Sequence, residues 1–270
     1  MATRNIFHFN RSITLTSLCL SLLICSIGTS EAAITTATDP LVINNNHPEG
    51  SPAEIWMTKV YRDLYERINV PLKMVYFPKA RGAFYADTGK IDGQVTSVFQ
   101  YQDKQKEQIR INFPLVKLSM LAITQNNKNI EVQNWDSLNN TRFRVEYVRG
   151  ILLAEKELTK RVSKGNLTDS SSAMHSLQKV KHDRIDIFVH GNITLFPLTH
   201  SADFSNELIS AGALSTNTLY PYLNRAHKEL VPIIEKTLHE MRVDGSIFNY
   251  CVEAYGIGSE EFCNSVSYNE

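Results

Sequence analysis

Two arginines beside turn residues carry the clearest chemical signals in the chain. Arg81 stands three residues after Pro78, within a stretch suited to a short helix, and Arg149 directly precedes Gly150 where an extended run gives way to a helical one. A guanidinium can grip a carboxylate through paired N–H donors. A glycine at a strand-to-helix turn lets an anion approach the backbone N–H groups of the helix N-terminus. Further hydrogen-bonding groups follow successive apolar runs: Asn45, Asn46 and Glu49, then Lys79, then the stretch from Ser97 to Tyr101, and finally His190, Gly191 and Asn192. Glu49 and His190 can in principle supply a base, with Arg149 as carboxylate clamp, for acid–base work on a carboxylate substrate. No G-x-S-x-G, metal motif or phosphate loop accompanies them, so binding is the first reading and such an enzyme the second. Structural alternatives stand beside each residue. Arg81 can face solvent or pair with Glu66, Arg149 can be a solvated charge, and His190 can satisfy a backbone group.

These residues need a scaffold that brings their loops to one edge. Residues 40–43 read as a short buried strand, and Ser51, Pro52 and Glu54 read as N-cap, first-turn proline and reciprocal capping glutamate of a helix. Strands are predicted over 72–77, after Asp92-Gly93, over 143–148 and over 184–189. Helices are predicted from Pro78 to Gly89 and over 151–162, 171–180, 226–241 and 246–255. Alternation of this kind predicts parallel sheets with right-handed crossovers, whose ligands collect beyond the carboxyl ends of the strands.

With 43% hydrophobic residues in 270, the chain is apolar enough for a real core. Lys+Arg and Asp+Glu both number 28, and no basic block occurs, which argues against nucleic acid as the main partner. Arg4, His8 and Arg11 precede an uncharged apolar stretch at 13–27, and Ser30-Glu31-Ala32 offers small residues for cleavage after Ala32. Residues 1–32 are therefore read as a signal peptide and the remainder as exported to the periplasm. Cys19 and Cys25 fall inside that peptide. Cys251 and Cys263 remain as a disulfide candidate, with two free thiols as the alternative. No metal or cofactor is expected.

The run of Pro78, Arg81, a helix and Gly89-x-x-Asp92-Gly93 leading into a strand resembles the first lobe of the extracellular solute-binding proteins of the amino-acid type, family 3 of the type II periplasmic binding proteins. The segment RIDIFV at 184–189 is similar to that family's second-lobe strand. Asn224 to Val231, followed by Leu238, Met241 and Asp244-Gly245, is similar to its C-terminal helix and D-G turn. The resemblance implies an α/β, two-lobed fold in which each lobe is a mainly parallel sheet flanked by helices, joined by crossing strands near 118–124 and 211–222. Lobe 1 would comprise 33–120 and 215–255, lobe 2 would comprise 121–214, and 256–270 would be a tail. The implied function is capture of a small polar or anionic solute by a monomer, for an ABC permease or a membrane sensor. Its expected contacts are Asn45, Glu49, Arg81, Ser97, Tyr101, Arg149, Gly150 and His190. The family's carboxylate-clamping arginine after the third strand is replaced here by the stretch from Phe99 to Lys104, and its amine-holding acid by His190-Gly191-Asn192. A free α-amino acid is accordingly not the expected ligand.

Overall fold

The computed structural model describes residues 39–268; the proposed signal peptide with its cleavage after Ala32, and Cys19 and Cys25, lie outside the described residues. Lobe 1 begins with β1 (Leu41–Asn44), α1 (Pro52–Arg67), β2 (Leu72–Val75), α2 (Lys79–Asp87), β3 (Gly93–Val98), α3 (Tyr101–Lys104) and β4 (Gln108–Arg110). The long β5 (Val116–Gln125) leads away to β6 (Val145–Val148), α4 (Leu152–Arg161), β7 (Leu167–Ser170), α5 (Ala173–Lys181), β8 (Ile187–Gly191) and α6 (Asn192–Thr199). The still longer β9 (Leu208–Asn224) returns to lobe 1, where α7 (Val231–Val243), α8 (Ser246–Tyr255) and α9 (Glu260–Ser267) close the fold. The strand order is β2-β1-β3-β9-β5-β8-β6-β7, with β4 also on β9. β1, β2 and β3 are parallel, as are β6, β7 and β8, while the crossing strands β5 and β9 pair antiparallel with each other. The fold is thus the expected two-lobed α/β architecture with two crossing strands.

Apolar spacing explains what each lobe buries. Trp56, Met57, Val60, Tyr61 and Leu64 recur on one face of α1 and pack with Ile43, Val95, Phe113 and Leu238. In lobe 2, Leu158 of α4 meets Val145, Ile187, Val189 and Leu138, and Trp135 lies against that cluster. Ser51 caps α1 by accepting from the Glu54 N–H at 3.2 Å. The reciprocal bond falls one residue early, because Glu54 accepts from the Gly50 N–H while the Ser51 N–H goes to the Pro48 carbonyl.

The G-x-x-D-G segment has a structural explanation at the amino end of the strands. Asp92 acts as an extra rung: its N–H donates to the Val42 carbonyl at 2.7 Å and its carboxylate accepts from the Val42 N–H at 2.8 Å. A Cβ on Gly93 would lie 2.4 Å from the Tyr222 carbonyl oxygen, so only glycine allows β3 to approach β9 this closely.

Several elements depart from the sequence reading. The helix expected over 226–241 starts as a 3-10 turn, Arg225–Leu230, and becomes α-helical at Val231, where Pro232 fits only the first turn. His227 is pulled off helical geometry within that turn and bonds Asp92 at 2.8 Å. The segment 256–270 contains α9, joined to α8 by the Cys251–Cys263 disulfide across a Cα separation of 5.7 Å. Strand β7 and helix α6 were not anticipated.

Candidate functional site

Strand direction brings two sets of loops face to face. The carboxyl end of β3 reaches Leu219, which is paired with Val116, whereas the carboxyl end of β8 reaches Met120. Both ends point along the crossing strands toward each other. Val116 and Met120 are four residue steps apart on β5, about 13 Å of extended chain. Across this interval the Ser119 and Thr216 hydroxyls form an exposed 2.9 Å hydrogen bond, and the Ser119 N–H donates to Asn192 Oδ1 at 3.0 Å.

On the lobe 1 side, a neutral network sets the edge. Asn44 Oδ1 accepts from the Phe77 N–H at 2.7 Å, its Nδ2 donates to Gln94 Oε1 at 3.0 Å, and Gln94 Nε2 donates to the Tyr101 hydroxyl at 3.0 Å. The Asn44 side chain takes the place of a backbone partner at Phe77, which is why β2 stops at Val75 rather than at 77. Tyr101 also meets Tyr222 edge-on, with ring centroids 4.9 Å apart, and burial pushes its hydroxyl up to about 12 against the pull of Gln94. Ser97 is buried beside a register shift between β3 and β9.

Asn45 is buried, with Nδ2 donating to the Glu54 carbonyl and to Thr58 Oγ1, so its amide fixes the start of α1. Glu49 and Arg81 are exposed, and neither side chain has a hydrogen bond or ion pair among the described residues. The Glu66 pairing considered for Arg81 does not form. The His47 pKa is lowered to about 4, first by burial and then by the Lys79 charge. Solvent reaches Lys79, yet the surrounding protein holds its ammonium below the usual lysine range.

On the lobe 2 side, Gly150 adopts φ +90°, a conformation that suits glycine at the turn into α4. Arg149 is exposed and already engaged, its Nε and Nη2 donating to Asp169 Oδ1 on β7 at 2.8 and 2.5 Å. His190 is buried. Its Nδ1 accepts from the Gly191 N–H at 2.8 Å, so the neutral ring carries its proton on Nε2, a donor with no partner among the described residues. Burial lowers its pKa, which favours that neutral form.

The sequence reading missed Asn44 and Gln94, and it missed Arg110. The Arg110 guanidinium lies 3.5 Å from the Phe99 ring centroid and 5.2 Å from that of Tyr220, and donates to the Phe99 carbonyl at 3.3 Å. An arginine inside the short apolar run before Pro114 was the available signal. Among the described residues no group of three or more His, Cys, Asp or Glu is placed to hold a metal ion, and no helix is long and apolar enough to cross a membrane.

Known structures share this fold. The fold is that of periplasmic-binding-protein-like domains. The GluR0 ligand-binding core in complex with L-glutamate matches with a TM-score of 0.65 at 11% identity, over 82% of this chain and 99% of that one. A histidine kinase sensor domain with similarity to periplasmic binding proteins matches with a TM-score of 0.60 at 13% identity, over 80% and 96%. No family model matches the chain. The chain belongs to the same family as a protein of Shewanella oneidensis described as uncharacterized, with 32% identity over 200 residues, 74% of this chain and 75% of the relative.

Proposed function

We propose that the chain is a periplasmic solute-binding protein, a divergent branch of the amino-acid type, that closes its lobes on a small polar or anionic solute. The observation that carries this reading is the approach of the carboxyl ends of β3 and β8 from opposite lobes along β5 and β9. Contacts to both lobes then favour the closed form over the open one. Arg81 supplies a cation from lobe 1, with Glu49, Ser97 and Tyr101 completing that edge and Asn45 positioning its loop. Gly150 and the His190 Nε2–H face the solute from lobe 2, and Arg149 joins them by exchanging Asp169 for the ligand. Export through residues 1–32 places the protein outside the cytoplasmic membrane, where an ABC permease or a membrane sensor receives the loaded form. Lobe 1 is assigned to 33–120 and 215–255 and lobe 2 to 121–214.

The test is thermal unfolding of the purified protein against amino acids, di- and tricarboxylates, polyamines and small sugars. A ligand that binds only the folded state raises Tm with the logarithm of its concentration. The expected result is a hit among the anionic or polar solutes, weakened by about 2 kcal/mol in Arg81→Ala or His190→Ala. A library without a hit, or a hit indifferent to both variants, overturns the assignment.

A further inference from the structure

Lobe 2 contains a cavity of about 380 Å³ that begins at the carboxyl end of β7, where the Ser170 carbonyl accepts from the Arg149 N–H at 2.8 Å, and runs along α5 away from lobe 1's Arg81 loop. Ser170, Ser171, His175, Gln178, Lys179, His182 and Arg184 line it, every one of them polar and none acidic. His175, Gln178, Lys179 and His182 recur at helical spacing, so they form one face of α5, with the two imidazoles about 10 Å apart along the axis. Arg184 is brought back toward that face by Asp183, which adopts φ +54°.

The acids nearby are already paired with cations. Glu146 lies behind the cavity, where it accepts from Lys179, Thr168 and Ser176 at 2.7 to 2.8 Å. Asp183 and Asp186 on either side of Arg184 are held by Lys128 and Arg144 at 2.5 to 2.9 Å. Asp169 is held by Arg149. What remains facing the cavity is a guanidinium, two imidazoles, an amide and the Ser171 hydroxyl, none with a side-chain partner among the described residues. Lys179 also lines the cavity, with its charge spent on Glu146. A cation would be repelled.

We propose that this groove is a second binding site, distinct from the interlobe cleft, for an extended small oxyanion carrying two or more negative charges. The volume falls in the range of small-molecule sites. The separation of Arg184 and His182 from Ser171 and His175 along the helix suits charges spread over several atoms rather than a single compact ion. A phosphate chain and a tricarboxylate share this chemistry, and titration separates them.

The experiment is calorimetric titration of the purified protein with tripolyphosphate and with citrate at constant ionic strength, using acetate as the monovalent control. At least one multivalent anion should bind and acetate should not. Affinity should fall at least about tenfold in Arg184→Glu and in the double variant His175→Ala/His182→Ala, as expected when charge-assisted hydrogen bonds are lost. Arg81→Ala should leave it unchanged. Lys179 is kept, because its removal would leave Glu146 buried without its cation. Binding of tripolyphosphate alone assigns the site to phosphate chains, and binding of citrate alone assigns it to carboxylates. The proposal is overturned if neither anion binds, if acetate binds equally, if Arg184→Glu binds like the parent, or if Arg81→Ala abolishes the signal. That last result would place the anion in the cleft.

Discussion

At the end of β1, Asn44 ties Phe77 and Gln94 together through neutral amide hydrogen bonds, and Tyr101 extends the chain. In the middle of β6, Glu146 is 1% exposed and ties β7 and α5 together through Thr168, Ser176 and Lys179. The two lobes share a β-α-β plan, yet one fastens its helices and strands with amides and the other with an ion pair. An amide network carries no net charge to solvate, so breaking it leaves unpaired dipoles. A buried carboxylate that loses its half-exposed ammonium partner leaves an uncompensated charge in the fold.

The largest expected effect follows from that difference. Lys179→Met should destabilise the protein by about 3 kcal/mol in urea unfolding, and adding Glu146→Gln should recover most of it. A double variant as unstable as the single one would show that Lys179 acts through packing. Asn44→Ala should cost about 2 kcal/mol, because the Phe77 N–H and Gln94 Oε1 both lose their partner; an unchanged midpoint would mean that water replaces the amide.

Acid titration separates the lobes further. His47 has its folded pKa lowered to about 4 by burial and the Lys79 charge. The unfolded chain binds that proton at higher pH, so lobe 1 loses stability as pH falls from about 6.5 to about 4. Asp186 is held well below the usual carboxylate range by its Arg144 hydrogen bonds and by Lys128. Its contribution is present above about pH 4 and is lost as pH falls through the folded value. Melting temperature measured against pH should therefore flatten between 6.5 and 4 in His47→Gln and only below about 4 in Asp186→Asn, each by the equivalent of about 1 kcal/mol. Coincident windows would refute the assignment. The smallest effect belongs to Arg149→Ala, whose exposed pair with Asp169 should be worth no more than about 0.5 kcal/mol in unfolding.

Much of lobe 1 was legible because its signals are local. Ser51, Pro52 and the apolar spacing of α1 announce that helix, and Asp92-Gly93 announces the strand that follows. The elements that escaped lack such signals. Strand β7 is a polar four-residue edge, LTDS, and α6 follows β8 without a side-chain cap and carries Pro197 inside it. This omission also hid part of the candidate site. Asp169 lies on β7, so the pairing of Arg149 could not be foreseen. Asn45 was read as a ligand contact after the first strand, but the turn of chain that consumes its amide depends on Thr58, thirteen residues on. Which polar groups are spent on the fold is a question of long-range pairing, and residue type alone does not answer it.

The two tryptophans of the chain fall one to each lobe. Trp56 is enclosed in lobe 1, with its Nε1–H bonded to the Ile247 carbonyl at 3.0 Å and its ring edge-on to Tyr255. Trp135 lies half-buried against the core of lobe 2. Nature has thus placed a separate optical probe in each half of the molecule. Trp135→Phe leaves fluorescence that reports on lobe 1, and Trp56→Phe leaves fluorescence that reports on lobe 2, so unfolding and ligand response can be assigned to a lobe without an external label.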